Sequence, residues 1–474
     1  MSPVTQHSPS PDQQPGDATG SGDPAEGAAA DSASADSASA DGAVTGRGSL
    51  RRHHRRQLTA LGAGVAVVAL LVAGATVPIN KVIEAPGPTW NVLEGSTSSA
   101  GTSESSTGTA SSSAPGTASS GSSASASASG SSAILSVTGT RTYAADGALR
   151  MTTVSVMGCP GYKVTVFDLI GAWLHSDRRV LDRDAVCPSS MTAEQVDAVN
   201  QAEMTSSQDS AVVAALMETG IARSMVLTIA KVADEQQDSG LETGDVITSV
   251  TPDGGTTTTI TTYAQLHDLM QTIPEGTRVT VGVTRDGKET SATLTTLAPS
   301  SGDQASGSML GVALSVKADS DVDAAFGLSD VGGPSAGTMF ALGIIDEVTP
   351  GDLTGGKDIA GTGTISVSGE VGAIGGIQQK MAGAKASGSD YFLAPASNCD
   401  EVVGHEPDGM SVYAVSTLHE AVESVEAIAD GSTSGLRTCE EVQAEASATA
   451  SVSASAAPSA VATASASATA AAEH

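Results

Sequence analysis

The sequence has little of two things on which many folds and functions depend. Aromatic residues make up 2% of the 474-residue chain, so its cores must be packed from aliphatic side chains. Basic residues are scarce as well: 22 Lys and Arg stand against 53 Asp and Glu, a net charge of −31. Phosphate recognition needs a basic surface, so nucleic acid is excluded as a partner. Cysteine occurs only at Cys159, Cys187, Cys399 and Cys439, with no C-x-x-C pair. That spacing argues against a zinc ribbon or a redox motif, and no metal or cofactor is expected. Large apolar residues are almost missing from 1–46, 95–133 and 441–474, which are rich in Ser, Ala, Gly, Thr and Asp. Burial there cannot repay the entropy of ordering, so the expectation is two disordered tails and a Ser-rich linker.

What is present begins with an uncharged run. No charged side chain occurs from Gln57 to Asn80, and Leu58–Ile79 is almost wholly apolar. As a helix this stretch would reach about 36 Å, enough to cross a hydrocarbon core of about 30 Å. Arg51, Arg52, Arg55 and Arg56 precede it, which keeps residues 1–56 in the cytoplasm and sends everything after Lys81 outside. The expectation is a single-pass anchor over 57–80 with the lipid bilayer as partner, then a juxtamembrane segment over 81–94. A cleaved secretory signal is the alternative and leaves the bulk of the chain exported all the same. In an oxidising compartment Cys159–Cys187 and Cys399–Cys439 are the natural local disulfides.

Within the exported block, order is expected from Ile134. Residues 134–143 and 148–157 flank Asp146-Gly147 and read as a hairpin. A short helix is expected over Phe167–Leu174 and a longer one over Thr192–Glu218, with its pattern interrupted near Ser206-Ser207. Residues 221–298 follow with a strand at Val226–Val232, a Gly244-Asp245-Val246-Ile247 turn into a second strand, and one helix. That helix carries Leu266, Leu269, Met270 and Ile273 at i, i+3, i+4 and i+7 behind a Thr262…Gln265 capping box. Alternating Val279, Val281 and Val283 then meet an Arg285-Asp286-Gly287-Lys288 hairpin. This segment resembles a PDZ domain of the bacterial protease-associated kind, which implies capture of an extended peptide by strand addition. It departs from that pattern in having only Gly220-Ile221-Ala222-Arg223 before Val226, where a carboxylate-binding loop is expected. A β-rich spacer that binds nothing is the alternative.

The chemistry centres on Gly332-Gly333-Pro334-Ser335-Ala336-Gly337. A serine among small residues can be approached closely, and the apolar run Thr338–Val348 reads as a helix whose N-terminus would favour an oxyanion. Gly333-x-Ser335-x-Gly337 formally matches a nucleophile elbow, which would need a histidine such as His405 or His419, but no apolar strand precedes it. The other activator is a lysine in Gly375-Gly376-Ile377-Gln378-Gln379-Lys380. With Thr362-Gly363-x-Ile365 between the two, the three pieces resemble the Lon-type Ser–Lys protease domain. The resemblance implies Ser335 as nucleophile, Lys380 as general base and Thr362 as its hydrogen-bonding support. The acidic residue often found three before that serine is Gly332 here, with Asp330 nearby, and Lys385 is a rival base outside the motif. Gly351-x-x-x-x-Gly356-Lys357 superficially resembles a P-loop, but Asp358 stands where Ser or Thr would hold magnesium.

Over residues 79–94 and 134–440 the chain resembles the bacterial membrane-anchored PDZ-containing Lon-like proteases. The implied fold class is α+β: a transmembrane helix, a small β-rich PDZ domain at 221–298 and a Lon-type α/β proteolytic domain at 299–440, with 134–220 as the N-terminal part of the ectodomain. The implied activity is ATP-independent serine endopeptidase action on extracytoplasmic protein or peptide substrates, with no nucleotide as partner. An inactive PDZ adaptor and a Ser-His-Asp esterase are the alternatives.

Overall fold

A computed structural model of the chain describes residues 65, 68–69, 71–94, 133–159, 162–187, 190–299, 307–328 and 331–455. The expected tail at 1–56, nearly all of the linker, Asp330 and residues 456–474 lie outside them. The chain divides into two compact units, one of residues 1–76 with 300–304 and one of 77–299 with 305–474. In the first, residues 71–76 are helical. No helix among the described residues is long and apolar enough to cross a membrane. The transmembrane helix expected over 57–80 is therefore not seen, and the fold class is corrected on that point. Part of the physical reason is Pro78, which has no N–H to continue a helix and biases Val77 away from helical backbone. Helical backbone stops at Thr76, and the Ile79 N–H donates to Val164 O at 2.8 Å. The end of the apolar run belongs to the folded block that follows.

That block, the second unit, is a mixed α/β fold. Its strands begin with β1 (Lys81–Asn91), β2 (Leu135–Thr138), β3 (Ala148–Met157), β4 (Arg179–Asp182), β5 (Met225–Val232), β6 (Val246–Pro252), β7 (Thr258–Thr259), β8 (Arg278–Arg285) and β9 (Lys288–Thr295). They continue with β10 (Val312–Ala318), β11 (Asp323–Phe326), β12 (Asp358–Gly361), β13 (Thr364–Ile365), β14 (Val371–Gly372), β15 (Tyr391–Pro395) and β16 (Ser411–Val415). The helices are α1 (Val166–Trp173), α2 (Arg183–Val186), α3 (Ala193–Glu218), α4 (Tyr263–Thr272), α5 (Gly337–Val348), α6 (Ile377–Ala386), α7 (Cys399–Val402), α8 (Leu418–Ala429) and α9 (Cys439–Ser455).

The main sheet runs β16-β15-β12-β3-β1-β4. It is parallel from β16 to β3 and antiparallel from β3 to β4. Alternation along the strands splits the core in two. Leu149, Met151, Ile359, Leu393 and Val415 face a layer that includes Met204 and Ala211 of α3, Met339 and Phe340 of α5 and Val425 of α8. Ala360, Phe392, Ala394 and Val412 face Ile377, Met381 and Ala384 of α6 and the Cys399–Cys439 disulfide. All twelve residues of α5 are buried, Asp346 and Glu347 near its end included, and desolvation raises both of those carboxyls. Cys159 and Cys187 form the second disulfide. Helix α9 extends to Ser455, past the limit expected at 440; its Ala-rich sequence favours helix.

Two sequence expectations give way here. Residues 134–143 do not pair with 148–157. The partners of β3 are β1 and β12, while β2 pairs with β11. The displacing element is β1, the segment expected to be a juxtamembrane connection. Pro86 and Pro88 carry no N–H, so the ladder breaks there, and the register shifts between Pro86 and Thr89. Gly87 lies so close to β3 that a Cβ on it would sit 2.4 Å from Thr153 Oγ1 and 2.8 Å from Thr153 O.

The second sheet has the order β10-β5-β6-β8-β9, with α4 packed on it through Leu266 and Met270. It runs past the expected boundary at 298, because β10 pairs with β5 along its length. The segment is an insertion with adjoining ends: Asp319 N donates to Ser224 O at 2.9 Å and Ser224 Oγ to Asp319 Oδ2 at 2.8 Å. Inside it, the buried Asp245 accepts from Arg285 Nε at 2.6 Å and Nη2 at 2.7 Å. The Arg285 guanidinium holds the Asp245 carboxyl below the usual carboxylate range. A lowered folded pKa contributes stability above the unfolded value of about 3.9 that is lost as pH falls through the folded value. Asp245→Asn should therefore destabilise the fold by on the order of 2 kcal/mol near neutral pH, and urea titrations should show that gap closing as the pH drops below the carboxylate range.

Candidate active site

Ser335 lies in the turn leading into α5, partly open to solvent. Its loop is tied to α3: Gly333 N donates to Asn200 O at 2.9 Å, and the buried Ser207 donates through Oγ to Pro334 O at 2.8 Å. This explains the polar interruption in the α3 pattern, since Ser207 faces the serine loop and α3 runs through it unbroken. On the other side the Ser335 carbonyl accepts from Gly363 N at 2.8 Å and Thr362 Oγ1 at 2.9 Å. Gly337, the first residue of α5, has no room for a side chain: a Cβ would sit 2.7 Å from both Ile365 Cγ2 and Ser207 Oγ.

Lys380 comes from α6. The helix starts at Gly376, which has φ +68° and lies so close to β3 that a Cβ would meet Val154 Cγ1 at 2.6 Å. The preceding turn is clamped by Asn398, which accepts from Ile374 N and donates to Ile374 O, both at 2.9 Å. Lys380 is 2% exposed. Its Nζ donates to Ser335 Oγ at 2.7 Å and to Thr362 Oγ1 at 2.9 Å. Burial pushes the amine down to about 7, against the opposing pull of the Glu84 carboxylate. Ser335, Thr362 and Lys380 are thus brought together, from three separate stretches of chain.

The rival groups are elsewhere. Lys385 Nζ bonds Asp390 at 2.7 Å and Gly409 O at 2.9 Å, on the exposed side of α6. His419 pairs with Glu218 at 2.7 Å and His405 is exposed, so no imidazole among these activates Ser335 and the elbow reading lacks its base. Gly351–Lys357 is the turn between α5 and β12, and Asp358 is engaged by Arg150 at 2.7 Å.

Sequence reasoning missed Glu84, a carboxylate 9% exposed on β1, in the segment read as a connection. Desolvation raises its pKa, with Arg179 and Lys380 opposing and Glu401 adding to the rise. Nothing local marks this residue; only the strand pairing of β1 inside the main sheet brings it toward α6.

A family model for the Lon protease (S16) C-terminal proteolytic domain matches residues 313–427. The chain therefore carries that proteolytic domain, and with it the machinery of a serine-type peptidase. Among curated relatives, Lon protease 2 of Bacillus subtilis is 35% identical over 97 residues, 20% of this chain and 17% of that protein. Lon protease 1 of Sorangium cellulosum is 36% identical over 93 residues, 19% and 11% of the two chains. The archaeal Lon protease of Methanocaldococcus jannaschii is 35% identical over 97 residues, 20% and 14%. The chain thus covers less than a fifth of the length of these relatives. The matched region begins within β10 and ends within α8, so β1 and Glu84 lie outside it.

The electrostatics give a test. Glu84 favours the ammonium form of Lys380, so removing its charge lowers the lysine pKa further. In Glu84→Gln the acid limb of the pH–rate profile should move to lower pH, read with a short peptide substrate; an unmoved limb would uncouple the two groups.

Proposed function

We propose that the chain is an endopeptidase in which Ser335 is the nucleophile and Lys380 the general base. The supporting observation is the 2.7 Å hydrogen bond between the Ser335 hydroxyl and an amine whose pKa burial has brought to about 7. At neutral pH a large part of that amine is uncharged and holds a lone pair toward the serine. Ser335 Oγ attacks the scissile carbonyl carbon as its proton passes to Lys380 Nζ. The ammonium then protonates the departing amine as the C–N bond breaks, leaving an ester on Ser335. A water molecule deprotonated by the same amine cleaves the ester and restores both groups. Thr362 orients the amine and, through the Ser335 carbonyl, the loop that carries the nucleophile.

The reaction needs no nucleotide in this reading. The P-loop-like run ends at Asp358, whose carboxylate is committed to Arg150. The substrates are then segments that reach the serine without being actively unfolded. The 225–318 insertion is a PDZ-type module that holds such segments by strand addition, supported by its antiparallel five-strand order with β10 and β9 at the edges. The catalytic block works outside the cytoplasm, on the extracytoplasmic face of a membrane, which agrees with cysteines that all pair.

Lys380→Arg should fold and lose on the order of 10²–10⁴-fold in rate, since guanidinium stays protonated and cannot act as a base. Ser335→Ala should lose the ester intermediate altogether, and the wild-type rate should climb as pH rises through about 7. A folded Lys380→Arg protein that cleaves normally would sink the mechanism. Joining Ser224 to Asp319 without 225–318, with Val213 and Met217 made polar to replace lost cover, should spare short-peptide cleavage and depress cleavage of an unfolded protein. Equal loss on both would make the insertion structural.

A further inference from the structure

Among the described residues of the folded block, an extensive apolar surface is left open on α1 and its flanks. Helix α1 has a single polar side chain, Asp168, and that is spent on a capping box with Thr165. A helix apolar on all sides is normally covered on all sides. Only one side of α1 is: Ala172 and Leu169 pack with Ile83, Val164, Met157 and Val180. On the open side Phe167 is 43% exposed, Ile170 45%, Trp173 77% and Leu174 80%. In a chain of two Trp and four Phe, one of each is left on this patch. Exposed apolar patches of this kind mark an interaction site.

The rest of the page identifies what covers it. Residues 95–132, 301–306 and 456–474, outside the described residues, contain almost no large apolar side chain that could fold over the patch. Ile79, near the end of the uncharged run, lies here: its N–H bonds Val164 O, one residue before the α1 cap. Charge is balanced locally, with Lys163, Arg178, Arg179 and Arg183 against Asp168, Asp177, Asp182 and Asp184, on a chain whose net charge is −31. Anionic headgroups therefore meet little repulsion at this face. Trp beside aliphatic side chains is a composition that settles at a membrane–water boundary.

We propose that the open face of α1 seats in the headgroup–acyl boundary of a lipid bilayer, lying in the interface without crossing it. The catalytic block is thereby held at a fixed orientation to the membrane. This rests on the extracytoplasmic membrane location proposed above and not on the peptidase chemistry.

The test uses the full chain reconstituted in phosphatidylcholine–phosphatidylglycerol vesicles, with and without lipid brominated near the headgroup end of its acyl chains. The Trp173 signal is the difference between wild type and Trp173→Phe, with Trp90 common to both. A face buried about 5–10 Å below the headgroups should give blue-shifted emission that brominated lipid quenches roughly twofold. Phe167→Ser with Ile170→Ser should relieve the quenching. Blue-shifted emission without bromine quenching would assign the face to protein cover, a second copy or the chain's own apolar run, and overturn the proposal. Emission typical of water, unquenched, would overturn it as well. Cleavage of a soluble peptide, measured on the same samples, reads the peptidase assignment separately and should be unchanged by the α1 substitutions.

Discussion

The site depends on keeping one amine out of water. Lys380 in solution would be an ammonium, and a hydrogen bond from an ammonium to Ser335 would have no basicity to offer. Burial changes that, because the loss of hydration around an amine 2% exposed disfavours its charged form and brings its pKa down to about 7. The neighbours are chosen to sharpen the effect: Ile377 and Met381 on its own helix are fully buried, and Thr362 answers the amine with a neutral hydroxyl. The one carboxylate that pulls the other way, Glu84, is itself desolvated and raised. The arrangement costs stability. Between about 7 and the ordinary lysine value the unfolded chain binds a proton that the folded one does not, so stability rises with pH across that window and its full loss is felt below it.

Holding the serine against this amine requires a rigid loop, and the fold supplies it from both sides. The Ser335 carbonyl is fixed by Gly363 and Thr362, the loop before it by Asn200 and Ser207. None of these bonds is unusual alone. Together they bind the turn between a fully buried helix, α5, and a helix long enough to reach both cores, α3. Glycine at 337 then lets the start of α5 close onto Ile365, where a methyl group would force the turn outward.

How far this was legible in the sequence differs between the site and its frame. The serine turn, the threonine entry and the lysine turn each carry local signals, glycines at forced backbone positions and apolar residues at helical spacing. Their mutual approach has no such signal, and only the resemblance to a protease family joined them. The strand β1 was misread because its Pro86-Gly87-Pro88 looks like a loop; the structure uses those residues as a break in a ladder whose two ends still pair. The hairpin expected across Asp146-Gly147 failed for a related reason. A strand from elsewhere in the chain, β1, supplied the better partner, and short-range turn signals say nothing about such competition. The apolar run at 57–80 satisfied a length rule for crossing a membrane, yet no described helix is long enough to do so, and its last residues pass at Pro78 and Ile79 into the folded block. Length and hydropathy measured a composition, not where the helix stops.

The relation between the two sheets follows from the same geometry. The insertion joins its host at two hydrogen-bonded residues, Ser224 and Asp319, so its position cannot be set by the connections alone. It is set by side chains. Helix α3 sends Val213 and Met217 into the core of the second sheet and Met204, Ala211 and Ala214 into that of the main sheet. Val367, in the turn between β13 and β14, also packs against the second sheet, and that turn starts four residues after Thr362. Helix α3 and this turn therefore also adjoin the loop of Ser335, α3 through Ser207 and β13 through Ile365 against Gly337. Ser207 of α3 bonds the carbonyl of Pro334, one residue before the nucleophile, and Ile365 packs at Gly337, two residues after it. The insertion thus borders elements that carry the serine loop, while among the described residues its own side chains make no hydrogen bond to Ser335, Thr362 or Lys380.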